Sequence, residues 1–199
     1  MKLDFREKAM APGALAGLAS AEHLTALRSL DLGSTGVSAD DVIALSRAPF
    51  FEDLTELNLD FNPLGPGVIE ALARGKSLRA LSLSQCRLDD RAVVALASSA
   101  NLRELEYLDL RSSDLTAVAA RALVDSKLLS KLKTVRRFGG AFGSVLEESK
   151  RFGTEPEAWP RPAFWALGEG NGPLPEPVLR ATTPLLCTEV LRSRPAHGE

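Results

Sequence analysis

The sequence contains few of the side chains that commonly carry catalysis or bind metals. Its 199 residues include two cysteines, two histidines and one tyrosine. Two cysteines provide neither a disulfide framework nor a metal-ligand spacing, so we expect Cys86 and Cys187 to be reduced. His23 lies in a linker and His197 lies near the C-terminus. Surface or loop positions are the expected roles of both histidines.

The net charge and the hydropathy of the sequence argue against nucleic acid and membranes as partners. A formal net charge of −2 lacks the basic excess that attracts polyphosphate, so no nucleic acid is expected to bind. No stretch approaches the roughly 18 uninterrupted apolar residues of a membrane span, and charged residues interrupt the N-terminus. These features predict a cytoplasmic protein without membrane contact. Abundant arginine and alanine beside only two isoleucines favour a GC-rich, bacterial genome.

Leucine recurs at a fixed spacing along most of the chain. The pattern L-x-x-L-x-L-x-x-(N/C/T/S)-x-(L/V) occurs four times, at residues 27–37, 54–64, 78–88 and 105–115, with steps of 27, 24 and 27 residues. Degenerate copies precede and follow these four, around Leu3 and Leu132. The 24-residue step lacks a leucine that its neighbours carry three residues ahead of the motif. We therefore expect that unit to be one helical turn shorter.

Each copy of the pattern predicts one strand and one helix. The L-x-L core alternates with period two, so Leu81 and Leu83 should point to one side of a strand while the residues between them face water. Behind each strand, apolar pairs such as Val93 and Leu96 recur at i, i+3 and give a helix an apolar stripe. Residues typical of helix starts lie between strand and stripe; they are Pro12, Ser38, Pro66, Asp89 and Thr116.

These repeats resemble the leucine-rich-repeat family, and their length is similar to that of its ribonuclease-inhibitor-like branch. The resemblance implies an α/β solenoid, a horseshoe arc with a parallel sheet on the concave side and helices on the convex side. We assign residues 1–152 to this solenoid, as about five repeats and a degenerate C-terminal one. In the family, a polar side chain bonds to orphaned backbone groups in the turn after each strand; the matching residues are Thr35, Asn62, Cys86 and Ser113.

Residues 153–199 do not continue the pattern. Eight of the 12 prolines lie between positions 156 and 195. This composition is typical of a disordered tail. The segment also contains Trp159, Phe164 and Trp165, which favour a second interpretation. In that alternative the tail caps the open apolar end of the solenoid.

The other candidates for chemistry have structural explanations. Cys86 occupies the buried turn position of its repeat, where a thiol is usually structural. The glycines of segment 165–172 follow no strand, so they do not support a phosphate cradle. Asp89 and Asp90 lie at a helix start, where capping explains them. We predict no catalytic residue, no metal site and no cofactor, and we do not expect an enzyme.

The residues that alternate with the buried leucines form a candidate binding surface. Aspartate and asparagine are common there as solvated strand residues, which is the simpler interpretation. The alternative is a docking strip for a partner with basic and apolar groups, anchored by Tyr107 and Phe61, since aromatic side chains dominate interface energetics. The candidate partner-binding residues are Asp31, Glu56, Asn58, Asp60, Phe61, Ser82, Tyr107, Asp109 and Arg111.

The size of this face limits how tightly it can bind. Six strands about 4.8 Å apart span roughly 24 Å and offer about 400 to 500 Å². A standard interface takes about 800 Å² per partner, so the face alone would bind weakly. The leading hypothesis is a non-catalytic protein–protein interaction scaffold. The alternatives are an activator-type regulator of a GTPase or other enzyme, and a fragment of a longer leucine-rich-repeat protein.

The first strand predicts a second kind of contact. Leu3 and Phe5 belong to an edge strand whose outer backbone groups would be unpaired. We expect residues 1–23 either to be the least stable part of the molecule or to be covered by another chain. That chain would be a second copy, by edge-to-edge self-association, or an upstream segment absent from this sequence.

Overall fold

The computed structural model describes residues 1–11, 13–111, 114–136 and 140–153. Within these ranges strands and helices alternate. The strands are β1 (Lys2–Asp4), β2 (Ser29–Asp31), β3 (Glu56–Asn58), β4 (Ala80–Ser82), β5 (Tyr107–Asp109) and β6 (Thr134–Arg136). The helices are α1 (Ala14–Ala19), α2 (Ala39–Leu45), α3 (Ile69–Leu72), α4 (Asp90–Ala97), α5 (Ala117–Asp125) and α6 (Ala141–Ser149). Pro12, Ser113 and the predicted tail after Gly153 lie outside the described residues.

The six strands form one parallel sheet in chain order, from β1 to β6. The repeat spacing sets the register, because Leu30, Leu57, Leu81, Leu108 and Val135 pair in a row across neighbouring strands. The 24-residue step preserves the same register as the 27-residue steps. The predicted α/β arrangement with a parallel sheet is therefore confirmed.

The strand leucines and the helix stripes share one hydrophobic core. Leu81 and Leu108 are fully buried and pack in the same cluster as Val93 and Leu96 of α4. Burying apolar surface stabilises the folded state by about 25 cal/mol per Å², so this shared core is the main source of stability. Each unit contributes only part of the core, so its apolar face depends on the units beside it.

Asn62 joins two consecutive units at the turn after β3. Its Nδ2 donates to the carbonyl oxygens of Leu32 and Leu59, at 2.8 and 2.9 Å. Its Oδ1 accepts from the backbone N–H groups of Gly36 and Val37. Nδ2 also donates to the Asp60 carbonyl oxygen at 3.1 Å. One buried amide therefore bonds to five backbone groups that would otherwise be costly to bury.

The equivalent side chains in neighbouring units play the same part with fewer bonds. Thr35 Oγ1 donates to the carbonyl oxygen of Leu32 at 2.7 Å, and Cys86 Sγ donates to that of Leu59 at 3.1 Å. These bonds confirm that the polar turn position supplies small donors to the backbone.

Three predicted helix starts are confirmed as caps of α-helices, whereas Pro66 begins a 3₁₀ helix, Pro66–Val68, that leads into α3. Ser38 and Asp41 form a reciprocal capping box at the start of α2. Asp89 Oδ1 accepts from the Ala92 N–H at 2.9 Å, and Thr116 Oγ1 accepts from the Val118 N–H at 3.2 Å. These caps satisfy donors that the first helical turn leaves without partners.

The unit that begins with β3 is shorter than its neighbours, as predicted. The turn that it lacks lies between α3 and β4. Short 3₁₀ helices at Phe51–Asp53 and Ala100–Leu102 precede β3 and β5. No such helix lies between α3 and β4 in this fully described stretch. Phe51 and Leu102 hold the apolar position that the 24-residue unit lacks, so the missing side chain and the missing turn coincide.

β1 lies at one edge of the sheet and pairs with β2. Leu3 and Phe5 pack against the core but are only partly buried, unlike Leu30 in the next strand. The pairing of this edge with a second copy stays a prediction.

The burial of the strand leucines makes a first prediction. Leu81→Ala should lower the free energy of unfolding by about 2 to 5 kcal/mol, because it removes apolar contacts and leaves a cavity between sheet and helices. Val94→Ala on the exposed side of α4 is the control and should change it by less than about 0.5 kcal/mol. Urea denaturation measures both. Equal effects would show that the assignment of inner and outer faces is wrong.

Candidate functional site

The side of the sheet opposite the helices is the candidate binding surface. We call it the strand face. It consists of the first and third residues of each strand, which are Lys2, Asp4, Ser29, Asp31, Glu56, Asn58, Ala80, Ser82, Tyr107, Asp109, Thr134 and Arg136.

Most of the candidate binding residues are buried, so the expectation that they face water is wrong. Glu56 and Arg111 are half-buried, and Phe61 is 52% exposed. The physical reason lies in the polar side chains, which bond across neighbouring strands or to the following turns. Whether these residues bind a partner stays a prediction. The six that are at most 5% exposed are Asp31, Asn58, Asp60, Ser82, Tyr107 and Asp109.

Asp31 is the most confined of these carboxyl groups. Its Oδ1 accepts from the Gly33 N–H at 2.9 Å and from Asn58 Nδ2 at 3.0 Å. Within the described part of the chain, its Oδ2 is buried without a hydrogen-bond partner. Burial raises the pKa of Asp31, and the nearby charge of Asp4 raises it further, while the bonds to Gly33 and Asn58 oppose the shift.

Asp60 follows β3 and binds the next unit. Its Oδ1 accepts from Ser82 Oγ at 2.6 Å and from the Ser84 N–H at 2.8 Å. Burial raises the pKa of Asp60 to about 6, and the charge of Asp109 adds to this effect. The hydrogen bonds from Ser82 and Ser84 only partly offset the cost of burying the charge.

Asp109 differs from Asp31 and Asp60 because it forms ion pairs with two arginines. Arg111 Nη2 lies 2.8 Å and Arg136 Nη1 lies 3.7 Å from Asp109 Oδ2. Burial nevertheless raises the pKa of Asp109, although the hydrogen bonds and charge of Arg111 oppose it. The strand face is therefore acidic around β2 and β3, and it becomes basic at β5 and β6.

Phe61 is the exposed aromatic residue beside this face. Its backbone is left-handed, with φ of 58°, and its N–H donates to the Ser84 carbonyl oxygen at 2.8 Å. Ser34 and Gln85 occupy the same position in the adjacent units, with φ of 56° and 59°. A bulky side chain is rare in this conformation, which costs about 1 to 2 kcal/mol. We call Ser34, Phe61 and Gln85, which are all exposed, the turn rim.

The sequence indicated Phe61 as an exposed anchor, and its exposure is confirmed. It did not single out Ser34 and Gln85, although both stand at the repeat position of Phe61. Aligning the turns as well as the leucines would have found them. The other predicted anchor, Tyr107, is only 1% exposed.

Cys86 is unsuited to nucleophilic chemistry. Burial raises the pKa of the Cys86 thiol to about 12, so the thiolate does not form near neutral pH. In the described ranges, no group of three or more histidine, cysteine or acidic side chains converges to hold a metal ion. No helix of the same ranges is long and apolar enough to cross a membrane.

The raised pKa of Asp60 makes a second prediction. Because folded Asp60 binds its proton more tightly than the unfolded chain does, its favourable contribution is complete below about pH 4 and lost as the pH rises through about 6. The free energy of unfolding of the protein, relative to that of Asp60→Asn, should fall by up to about 3 kcal/mol between pH 4 and 7.

The amide introduced by Asp60→Asn keeps an acceptor for Ser82 and Ser84 but does not titrate. Urea denaturation of both proteins across this pH range measures the difference. A difference that stayed constant with pH would show that Asp60 is solvated.

A comparison with known protein families matches one unit of this sheet. Residues 76–97 match a family model described as Leucine Rich repeat. They contain β4, the turn with Cys86, and α4, which is one strand–turn–helix unit of the sheet. No curated protein matches the chain. The matched unit and the parallel sheet of repeated units together support a leucine-rich-repeat family for this chain.

Proposed function

We propose that this chain is a non-catalytic scaffold that binds another protein, with Phe61 of the turn rim as the anchor. The single observation that carries the proposal is the exposure of the Phe61 side chain on a left-handed backbone. Its side chain is 52% exposed although its backbone is held in an unfavourable left-handed conformation. The fold gains little from such a residue, whereas an interface could gain about 1.5 to 3 kcal/mol by burying the ring.

The surroundings of Phe61 suit a protein partner. Ser34 and Gln85 lie on either side of it, one strand away, because the backbone bonds from Ser34 to Asp60 and from Phe61 to Ser84 hold the turns in register. An apolar centre with a polar border is the usual composition of a protein interface. The exposed helix side offers Val94 and Val118, but neither is aromatic.

The buried carboxylates contribute to this proposal through their charge. Asp31 accepts from the Gly33 N–H, next to Ser34, and Asp60 directly precedes Phe61, so their negative charge lies close to the turn rim. Glu56, which is half-buried, adds a third carboxylate and accepts from Ser29 Oγ at 2.9 Å. A partner with basic and apolar groups fits this combination best, since complementary charge favours the correct encounter.

The proposal includes the finer shape and setting of the protein. We infer a horseshoe-like solenoid of the ribonuclease-inhibitor-like branch, in which the strand face is concave. Six parallel strands in chain order, with a helix after each, support this inference. The composition supports a bacterial, cytoplasmic setting, which localisation of the tagged chain would test.

The test compares matched variants against a partner. Proteins from the native cell that crosslink at position 61 are identified, and the purified candidate is titrated against three chains. Phe61→Ala should weaken its binding by more than about 1 kcal/mol, or about fivefold. Val118→Ala is the control, because Val118 is a similarly exposed apolar residue on α5. Thermal unfolding checks that both variants are folded.

Sensitivity at Val118 without sensitivity at Phe61 would place the interface on the helices. That result would overturn the proposal.

A further inference from the structure

The two ends of the sheet differ in how far the chain covers them. At the β6 end, the Gly153 N–H donates to the Lys133 carbonyl oxygen at 2.9 Å, and Gly153 forms a parallel bridge with Thr134. Phe142 and Leu146 of α6 are buried in the core at this end. At the other end, no described residue pairs with the outer side of β1. Within the described ranges, β1 is therefore the open edge of the sheet.

Leu3 and Phe5 show what this open end lacks. Their equivalents one repeat later are Leu30 and Leu32, which are fully buried, whereas Leu3 and Phe5 are only partly buried. In a stacked repeat each unit covers the apolar side chains of the next one, so a unit beside β1 would cover these two. Met1, which lies two residues before Leu3, is 52% exposed. The apolar side chains at this end thus have room for a further unit.

The backbone of β1 offers hydrogen bonds on its open side. The Phe5 N–H donates to the Asp31 carbonyl oxygen at 2.9 Å, so Phe5 directs its backbone groups to β2. Successive residues of a strand direct their N–H and C=O groups to opposite neighbours. Lys2 and Asp4 therefore direct theirs to the open edge.

We propose that β1 pairs with β1 of a second copy of this chain, antiparallel and centred on Leu3, so that the two copies share one continuous sheet. In this register Lys2 lies opposite Asp4 of the second copy. Both residues direct backbone groups to the open edge, so they form the hydrogen-bonded pairs of an antiparallel ladder. Leu3 lies opposite Leu3 of the second copy in the pair between them, where side chains come closest. The row of leucines continues from one copy into the other.

Charge selects this register over its neighbours. Opposite charges that face each other across an antiparallel pair stabilise it, and like charges destabilise it. Pairing centred on Lys2 would place two ammonium groups opposite each other, and pairing centred on Asp4 would do the same with two carboxylates. Pairing centred on Phe5 would require Glu7 to be extended, but its backbone is left-handed, with φ of 59°. Of these registers, the one centred on Leu3 alone satisfies the backbone groups and the charges together.

The acidic side chains nearest β1 also suit a cationic group from a second copy. Asp4 and Asp31 are partners across β1 and β2, so their carboxyl groups lie on neighbouring strands of the strand face. Within the described part of the chain, Asp31 Oδ2 is buried without a hydrogen-bond partner. Burial raises the pKa of Asp31, and the charge of Asp4 raises it further. Lys2 of the second copy would bring a positive charge to this acidic pair.

The size of the contact predicts a reversible dimer. A strand of three residues is about 10 Å long, so this end falls below the about 800 Å² that a standard interface takes from each partner. We expect a dissociation constant in the micromolar range. Dimerisation would place two strand faces side by side and double the surface estimated above, to about 800 to 1,000 Å². That consequence rests on the function proposed above, whereas the dimer does not.

Charge reversal tests the register in solution. Sedimentation velocity of the full chain, without an N-terminal tag, should show a monomer–dimer equilibrium between about 1 and 300 μM. Lys2→Asp or Asp4→Lys alone should raise the dissociation constant at least about tenfold, because each replaces attractive pairs by repulsive ones. An equimolar mixture of the two variants should dimerise again, since opposite charges then face each other. Lys127→Asp is the control, because Lys127 is exposed and lies before β6, at the other end of the sheet.

A disulfide tests the same register by distance. Leu3→Cys should form a disulfide between copies under mild oxidation, because the two Cα atoms would lie about 4.5 Å apart. Phe5→Cys is the matched control, since the two positions 5 would lie about 14 Å apart, which is too far for a disulfide. Both changes are made together with Cys187→Ser, and Cys86 is buried. Thermal unfolding checks that every variant is folded.

A monomer at every concentration would overturn the proposal. A dimer that responds equally to Lys2→Asp and Lys127→Asp, or that forms the disulfide at position 5 instead of position 3, would overturn it as well. No binding partner is present in these experiments. Their failure would therefore leave the role of Phe61 to its own test, and failure at Phe61 would not alter the outcome here.

Discussion

The structure depends on the row of leucines that aligns from strand to strand. A strand of three residues and a helix of one or two turns cannot cover their own apolar surface, so each unit is stable only beside another. Leu30, Leu57, Leu81 and Leu108 stand in register because the repeat returns each strand to the same level. The helix caps and the polar turns help to keep this row in place.

The same register brings polar groups together on the opposite side of the sheet. Asp31 meets Asn58 because neighbouring strands place equivalent positions side by side, whereas Asp60 accepts diagonally from Ser82, the strand partner of Asn58. The buried carboxyl groups of Asp31, Asp60 and Asp109 are therefore largely satisfied from within the face, and burial raises their pKa values. Such a face offers few side chains to a partner, and for this reason we propose the exposed turn rim as the contact.

The sequence predicted the elements better than it predicted the surface. Leucine spacing and capping residues such as Ser38 and Asp89 act locally, so their roles follow from position alone. Asn62 was also predictable, since its repeat position fixes the backbone groups it meets. Period-two alternation indicates the side to which Tyr107 points but not how deeply it is buried. Depth depends on what neighbouring strands and other segments place above the residue, and that information is spread over the chain.

Native-state hydrogen exchange tests the central claim that the units are stable only together. The amides of Leu32, Leu59 and Leu83 each donate to the next strand, at 2.9 to 3.0 Å. If the shared leucine row holds the sheet, these three amides should exchange only through a common opening, with nearly the same free energy. The account predicts that this energy approaches that of global unfolding measured with urea. Independent exchange of the three, with low and unrelated energies, would show that each unit is stable alone and would contradict the account.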